Sequence, residues 1–264
     1  MSPPSRHHAL QFRNVTVRFG GVQALDAITF DVEGSTIFGI IGPNGAGKTT
    51  LFNCVSGVIR PMSGSEILYE GRDLVGLPVH RISALGICRT FQNLSLMREQ
   101  TVRENLLIGM HLALPYGPLA SFFPGRRVRA AEYDAKVQIV HFTDLLKLPR
   151  SILDARVDAL SLGQQKKIEV ARAIVRRPKL LLLDEPAGGL NDRETFDFAT
   201  MLRELQRELG ISIVLIDHDM NLVMDLCSRL CVLSFGRLIA QGMPAEIQDN
   251  PEVVSVYLGA ADAA

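Results

Sequence analysis

The stretch Thr36-Ile-Phe-Gly-Ile-Ile41-Gly42-Pro43-Asn44-Gly45-Ala46-Gly47-Lys48-Thr49-Thr50 decides how this chain is read. Residues 36–41 form a short apolar run that predicts a buried strand. A glycine-rich loop follows at once, and Lys48-Thr-Thr-Leu-Phe-Asn53 opens a helix. Strand, G-x-x-x-x-G-K-T, helix is the context in which a chain cradles nucleotide phosphates. Gly42, Gly45 and Gly47 let backbone N–H groups come close to phosphate oxygens. The helix N-terminus adds partial positive charge. Lys48 is a point charge for the β- and γ-phosphates, and Thr49 offers a hydroxyl to Mg²⁺. Taken alone, the loop leaves the class of nucleotide-binding protein open.

Two apolar runs further along end in acids. Leu180-Leu-Leu-Leu183 leads into Asp184-Glu185. Carboxylates at the C-terminal end of a buried parallel strand face the ligand crevice of an open α/β sheet. Asp184 suits Mg²⁺, directly or through water. Glu185 is placed to orient or deprotonate an attacking water. Two acids after four leucines fit a helix cap poorly. The run 211–216 ends in Asp217-His218-Asp219. From its residues alone His218 reads as a structural histidine with the option of donating to a γ-phosphate. Asp217 and Asp219 read as solvated or capping residues.

Strand-like and helix-like stretches alternate over most of the chain, which predicts an α/β fold with a mainly parallel sheet. Strands are expected at 10–17, 28–32, 36–41, 180–183, 211–216 and 230–234. The early ones, separated by short turns at Phe19-Gly20-Gly21 and Glu33-Gly34, can form an antiparallel layer. Helices are expected at 101–112 and 128–146, in a helix-rich insert of the core. Between them Leu114-Pro-Tyr-Gly-Pro118 and Phe122-Phe-Pro-Gly-Arg126 are rich in turn formers. Of the 264 residues 47% are hydrophobic, enough for a full core, and 28 Lys plus Arg balance 28 Asp plus Glu. That balance gives no electrostatic reason to expect nucleic acid as a partner. No apolar run approaches the ~20 residues of a transmembrane helix. The N-terminal MSPPSRHHAL lacks the apolar centre of a secretion signal and reads as a loose tail. The four cysteines, Cys54, Cys88, Cys227 and Cys231, form no CxxC pair and read as free buried thiols of a reducing compartment.

Leu160-Ser161-Leu162-Gly163-Gln164, followed by Gln165-Lys-Lys-Ile-Glu-Val-Ala-Arg-Ala-Ile174, resembles the ABC signature LSGGQ, with Leu162 in place of its first glycine. From about Leu10 to Leu258 the other motifs fall in the order of that family. Thr90-Phe-Gln92 is similar to the Q-loop, whose glutamine contacts Mg²⁺ and the attacking water. Residues 180–185 are similar to Walker B, with Glu185 as the catalytic carboxylate. Ala187-Gly-Gly-Leu-Asn191 stands at the D-loop, His218 matches the switch histidine, and Phe19 matches the aromatic that stacks on adenine. The resemblance implies a P-loop NTPase (RecA-like) core with an antiparallel β layer and an inserted α-helical subdomain. It implies one ATPase domain over 1–264: a tail at 1–9, core at about 10–92 and 163–240, helical subdomain at about 93–162, and a C-terminal segment at about 241–264. It implies ATP as substrate, bound by Phe19 and residues 42–50, that is Gly42, Pro43, Asn44, Gly45, Ala46, Gly47, Lys48, Thr49 and Thr50. Mg²⁺ would lie at Thr49, Gln92 and Asp184, and Glu185, His218 and Gln92 would be catalytic. Ser161, Leu162, Gly163 and Gln164, at the start of a helix, would face the γ-phosphate held by a second ABC ATPase subunit.

Finer features resemble the ATPases of branched-chain amino-acid importers: Phe19-Gly-Gly21, Gly86-Ile-Cys-Arg-Thr-Phe-Gln-Asn93, Glu185-Pro-Ala-Gly-Gly-Leu-Asn191, Ile216-Asp-His-Asp-Met220, and the ending from Ala245-Glu-Ile-Gln-Asp-Asn-Pro-Glu252 to Tyr257-Leu-Gly259. ATPases of urea and amide importers and of lipopolysaccharide exporters share several of these. The implied partners are a paralogous or identical second ATPase, two integral membrane permease subunits and, indirectly, an extracytoplasmic binding protein. The implied place is peripheral, on the cytoplasmic face of the inner or plasma membrane. A GTPase would need an NKxD-type stretch, which is absent. A DNA-repair ATPase would carry long coiled coils, and 51–160 has no sustained heptads. A non-catalytic subunit would lack Glu185 and His218.

Overall fold

The computed structural model describes residues 8–90, 95–110 and 126–261, and the side chains of all of these except 126–132 and 258–261. Ten strands, β1 (His8–Phe19), β2 (Val22–Glu33), β3 (Ile37–Ile41), β4 (Glu66–Tyr69), β5 (Arg72–Asp73), β6 (Ile87–Arg89), β7 (Leu180–Asp184), β8 (Ser212–Ile216), β9 (Arg229–Ser234) and β10 (Arg237–Gly242), form two sheets among the described residues. One is antiparallel, in the order β2-β1-β4-β5. The other runs β10-β9-β3-β8-β7-β6, parallel except for β10 at its edge.

The expected antiparallel layer therefore exists, but 36–41 is not part of it. Ile37–Ile41 lies in the parallel sheet between β8 and β9. All five of its residues are buried, because layers cover both faces of that sheet. Alternation then sorts the side chains. Phe38 and Ile40, Leu180 and Leu182, and Val214 and Ile216 join the core shared with the antiparallel sheet. Ile37 and Ile41, Leu181 and Leu183, and Ile213 and Leu215 join the core under the helices. Phe12, Phe30 and Phe38 stack in series, at 4.5 and 5.7 Å between centroids, and tie the two sheets together.

The helices are α1 (Lys48–Val55), α2 (Val79–Ala84), α3 (Val102–Met110), α4 (Arg126–Leu145), α5 (Leu162–Ile174), α6 (Asp192–Leu209), α7 (Met220–Leu226), α8 (Pro244–Gln248) and α9 (Pro251–Ala261). Sequence reading placed α3 and α4 within a residue or two and passed over the short β4, β5, β6 and β10. The starts of α5, α6 and α7 are chemically marked. Ser161 caps α5 and Asn191 caps α6, each closing a capping box with Gln164 and Glu194 respectively. Asp219 caps α7 through the Leu222 N–H, as its residue type allowed. All four cysteines are free and buried.

Candidate functional site

In the parallel part of that sheet, β9-β3-β8-β7-β6, the carboxyl ends point the same way, so the segments leaving β3, β7 and β8 emerge on one crest. Register aligns them: Ile40 pairs with Ile216, and Ile216 with Asp184. Asp184 thus stands two strands, roughly 10 Å, from the start of the glycine loop. The sheet brings Gly42–Thr50, Asp184, Glu185 and His218 to this one crest.

Within the loop, Gly42, Gly45 and Gly47 have φ of +146°, +79° and +100°. The Ala24 carbonyl of β2 crosses so close that a Cβ on Gly47 would lie 2.6 Å from its oxygen. Position 47 must therefore be glycine, and the β1–β2 hairpin is pressed against the loop. Phe19, half exposed at the end of β1, sits at the tip of that hairpin. Lys48 is buried, and its Nζ donates to the carbonyls of Gly42 at 2.7 Å and Pro43 at 2.9 Å. Burial holds its pKa below the ordinary 10.5, while the charges of Glu185 and Asp184 pull the other way. From α9 Tyr257 comes up to the Gly42 backbone. Burial pushes its phenol up to about 12, and the neighbouring Gly42 backbone N–H opposes the shift.

Asp184 is buried, and its Oδ2 accepts a 2.7 Å bond from Nη2 of Arg89 on β6. Glu185 leaves β7 with φ +48°, a left-handed conformation that costs a non-glycine residue on the order of 1 kcal/mol. Its N–H donates to the Ile216 carbonyl at 2.7 Å. Strain of this kind gathers at working sites. Asp217 is not solvated: it is 2% exposed. It accepts backbone N–H bonds from His218 (2.8 Å), Asp219 (3.0 Å) and Ala187 (3.2 Å). Burial nevertheless raises its carboxyl above 3.8. Asp217 therefore clamps the turn after Glu185 to the end of β8, and His218 projects beside it with its ring largely exposed. Sequence reading assigned no role to Arg89 or to this clamp. Their partners lie 95 and 30 positions away, with no local pattern to announce them.

Ser161, Gly163 and Gln164 line a separate groove of about 200 Å³ with Leu190 and Glu194; none of residues 42–50 lines it. Leu162 is partly exposed at the first turn of α5. Asn191 opens α6 beside that groove, its side chain accepting from the Glu194 N–H. Gln92 lies outside the described residues. The hard oxygens of Thr49 and Asp184 suit Mg²⁺. Among the described residues no three of His, Cys, Asp and Glu cluster; Mg²⁺ at this site would draw most of its ligands from phosphates and water.

Residues 25–188 match the ABC transporter family, and residues 237–263 match the branched-chain amino acid ATP-binding cassette transporter family. The high-affinity branched-chain amino acid transport ATP-binding protein BraF of Pseudomonas aeruginosa is 40% identical over 252 residues, 96% of this chain and 98% of that protein. LivG of Escherichia coli, a protein of the same description, is 38% identical, with the same coverage of both chains. A solved ATP-binding cassette of an ABC transporter in its ADP conformation has a TM-score of 0.81 at 30% identity, covering 96% of this chain and 99% of that one. With a phosphate loop, an acidic pair and a signature helix on one frame, this chain belongs to the ABC transporter family as an ATP-binding, ATP-hydrolysing subunit.

Proposed function

We propose that the chain energises uptake of branched-chain amino acids through membrane permease subunits. The observation that carries this cargo is the match of residues 237–263, the segment of β10, α8 and α9, to the branched-chain family, beside full-length similarity to BraF and LivG. Phe19 stacks on the adenine of ATP, Gly42 to Thr50 wrap its phosphates, and Lys48 neutralises their charge. Thr49, Asp184 and Gln92 would hold Mg²⁺, which when bound would screen the phosphate oxygens. Glu185 takes the proton of the attacking water and His218 donates toward the γ-phosphate.

Ser161, Leu162, Gly163 and Gln164, with Asn191 nearby, complete the site of a second ATPase subunit. Support comes from Ser161 at the N-terminus of a 13-residue helix, an anion-binding end, in a groove apart from the chain's own phosphate loop. Among the described residues no helix is long and apolar enough to cross a membrane. The permease subunits would dock from the membrane side, placing this chain peripherally on the cytoplasmic face. The fitting surface is the groove of about 340 Å³ between α2, β6, α3 and α5, which carries exposed Val58, Val79 and Ile108 at its edge. An extracytoplasmic binding protein would deliver the cargo without touching this chain.

Uptake of radiolabelled leucine, isoleucine and valine by cells lacking this chain tests the cargo. Uptake should fall and return with the wild-type chain but not with Glu185→Gln. Undiminished uptake of all three in the deletion strain refutes it.

A further inference from the structure

Arg89 ends β6, three positions before Gln92, with its side chain buried. Its guanidinium meets groups from two separate parts of the site. Nη2 donates to Asp184 Oδ2 at 2.7 Å. Nη1 donates to Asn53 Oδ1 at 2.7 Å and Ser56 Oγ at 3.2 Å. Its plane also lies by Phe52, with Cζ 5.5 Å from the ring centroid. Phe52 and Asn53 belong to α1 and Ser56 is its C-cap, and the first two residues of the same helix are Lys48 and Thr49. One planar cation thus joins the helix that carries the phosphate-site lysine and threonine to the acid at the end of β7.

We infer that Arg89 is a positioning residue for the metal–phosphate site. A carboxylate at a strand end can rotate about its χ angles, and a metal ligand is useful only when its oxygen is aimed. By holding Oδ2, Arg89 fixes Asp184 in orientation and leaves Oδ1 as the oxygen for Mg²⁺ or its water. By holding Asn53 and Ser56 it fixes the distance from Asp184 to Thr49, since α1 is rigid over its two turns. Lysine cannot take over this task. Its single ammonium lacks the planar fork that serves both sides at once. The placement just ahead of residues 91–94 also means that β6 cannot shift without moving Asp184. The inference rests on the reading of Thr49 and Asp184 as the Mg²⁺ ligands.

The test is equilibrium binding of a fluorescent ATP analogue to the full chain, in EDTA and across a Mg²⁺ titration, for wild type, Arg89→Lys, Arg89→Met and the double variant Asn53→Ala/Ser56→Ala. Affinity in EDTA should stay close to wild type, because Lys48 and the loop amides are intact. The Mg²⁺ concentration at half effect should rise about tenfold or more in both Arg89 variants, the usual scale for losing a group that orients a metal ligand. Lysine should not rescue it, and the double variant should shift the same way by less. A merely structural role would lower thermal stability and leave the Mg²⁺ midpoint alone, so a folded Arg89→Lys protein with the wild-type midpoint overturns the inference. If neither Arg89 variant folds, an unchanged midpoint in the Asn53→Ala/Ser56→Ala protein overturns it instead. A wild-type chain whose nucleotide binding ignores Mg²⁺ would sink a different statement, the assignment of Thr49 and Asp184.

Discussion

Leu162 and Gly189 are fitted to one another: Cδ2 of Leu162 lies 2.9 Å from where a Cβ on Gly189 would sit, and Gly189 has φ +83°. The side chain that departs from the usual signature thus packs on the turn between β7 and α6 of its own chain. Gly189→Ala should cost about 1–3 kcal/mol, from overpacking and the left-handed backbone together. In Leu162→Ala/Gly189→Ala the clash is gone and only the backbone term remains, so the double loss should fall short of the summed single losses by at least about 0.5 kcal/mol. Urea denaturation of the three variants measures this, and strict additivity would show that the two residues do not touch.

Lys48 donates two charge-assisted bonds inside its own loop and is the buried cation that the loop would offer to phosphates. Lys48→Ala should weaken ATP binding about ten- to a hundredfold, the worth of one or two such bonds. Equilibrium dialysis reads it directly; affinity within twofold of wild type would remove Lys48 from the site.

Glu185→Gln keeps shape and polarity but cannot accept the proton of water. Single-turnover hydrolysis in the assembled complex should drop about 10²–10⁴-fold with binding retained, the range for losing a general base. The ATP-bound variant should also stay associated with its ATPase partner in size analysis. An unchanged hydrolysis rate would transfer the role to another group.

Tyr257→Phe removes the half-buried hydroxyl that faces the Gly42 backbone. A polar contact of this kind is worth at most about 1 kcal/mol. The variant should lose that much stability and bind ATP several-fold more weakly, because α9 then no longer braces the start of the loop. Thermal melts with and without ATP separate the two effects, and unaltered ATP-induced stabilisation would confine Tyr257 to packing.

Burial pushes the Cys54 thiol from 9.0 up to about 12 and raises Cys88, Cys227 and Cys231 as well, with Arg176 offsetting part of the effect at Cys88. The folded state holds these protons more tightly than the unfolded chain does. Their contribution is therefore fully present below pH 9 and is lost as pH rises toward the folded values, for Cys54 between 9.0 and about 12. Native protein should resist thiol reagents at pH 8 and expose four reactive thiols in guanidinium. Cys54→Ala should flatten the alkaline decline in stability, and rapid native labelling of Cys54 would contradict its burial.

Much of the site was legible in one dimension because its parts are contiguous. The glycine loop, its lysine and its threonine are consecutive residues between a strand and a helix, and no distant contact is needed to shape them. The same holds for Asp184-Glu185 after a run of leucines and for Ser161 at the start of its helix, whereas the capping boxes of Ser161 and Asn191 came from the structure. The missed strands β4, β5, β6 and β10 are two to six residues long. Their half-polar composition carries no clean period, and they are strands only because a neighbour supplies the ladder.

That this chain binds nucleotide and is an α/β ATPase of the ABC kind was legible in the sequence, together with candidates for the residues that do the chemistry. These are local matters of residue type and spacing. The place of β3 in the parallel sheet came from the tertiary fold, because a strand's partners depend on which layers cover its faces. That fold alone buried Asp217 as a clamp on the turn after Glu185, seated Leu162 against Gly189, brought Tyr257 to Gly42, and closed Arg89 on Asp184 and α1. Each of these pairs joins residues far apart in the chain, and nothing in either partner's local sequence encodes the distance between them.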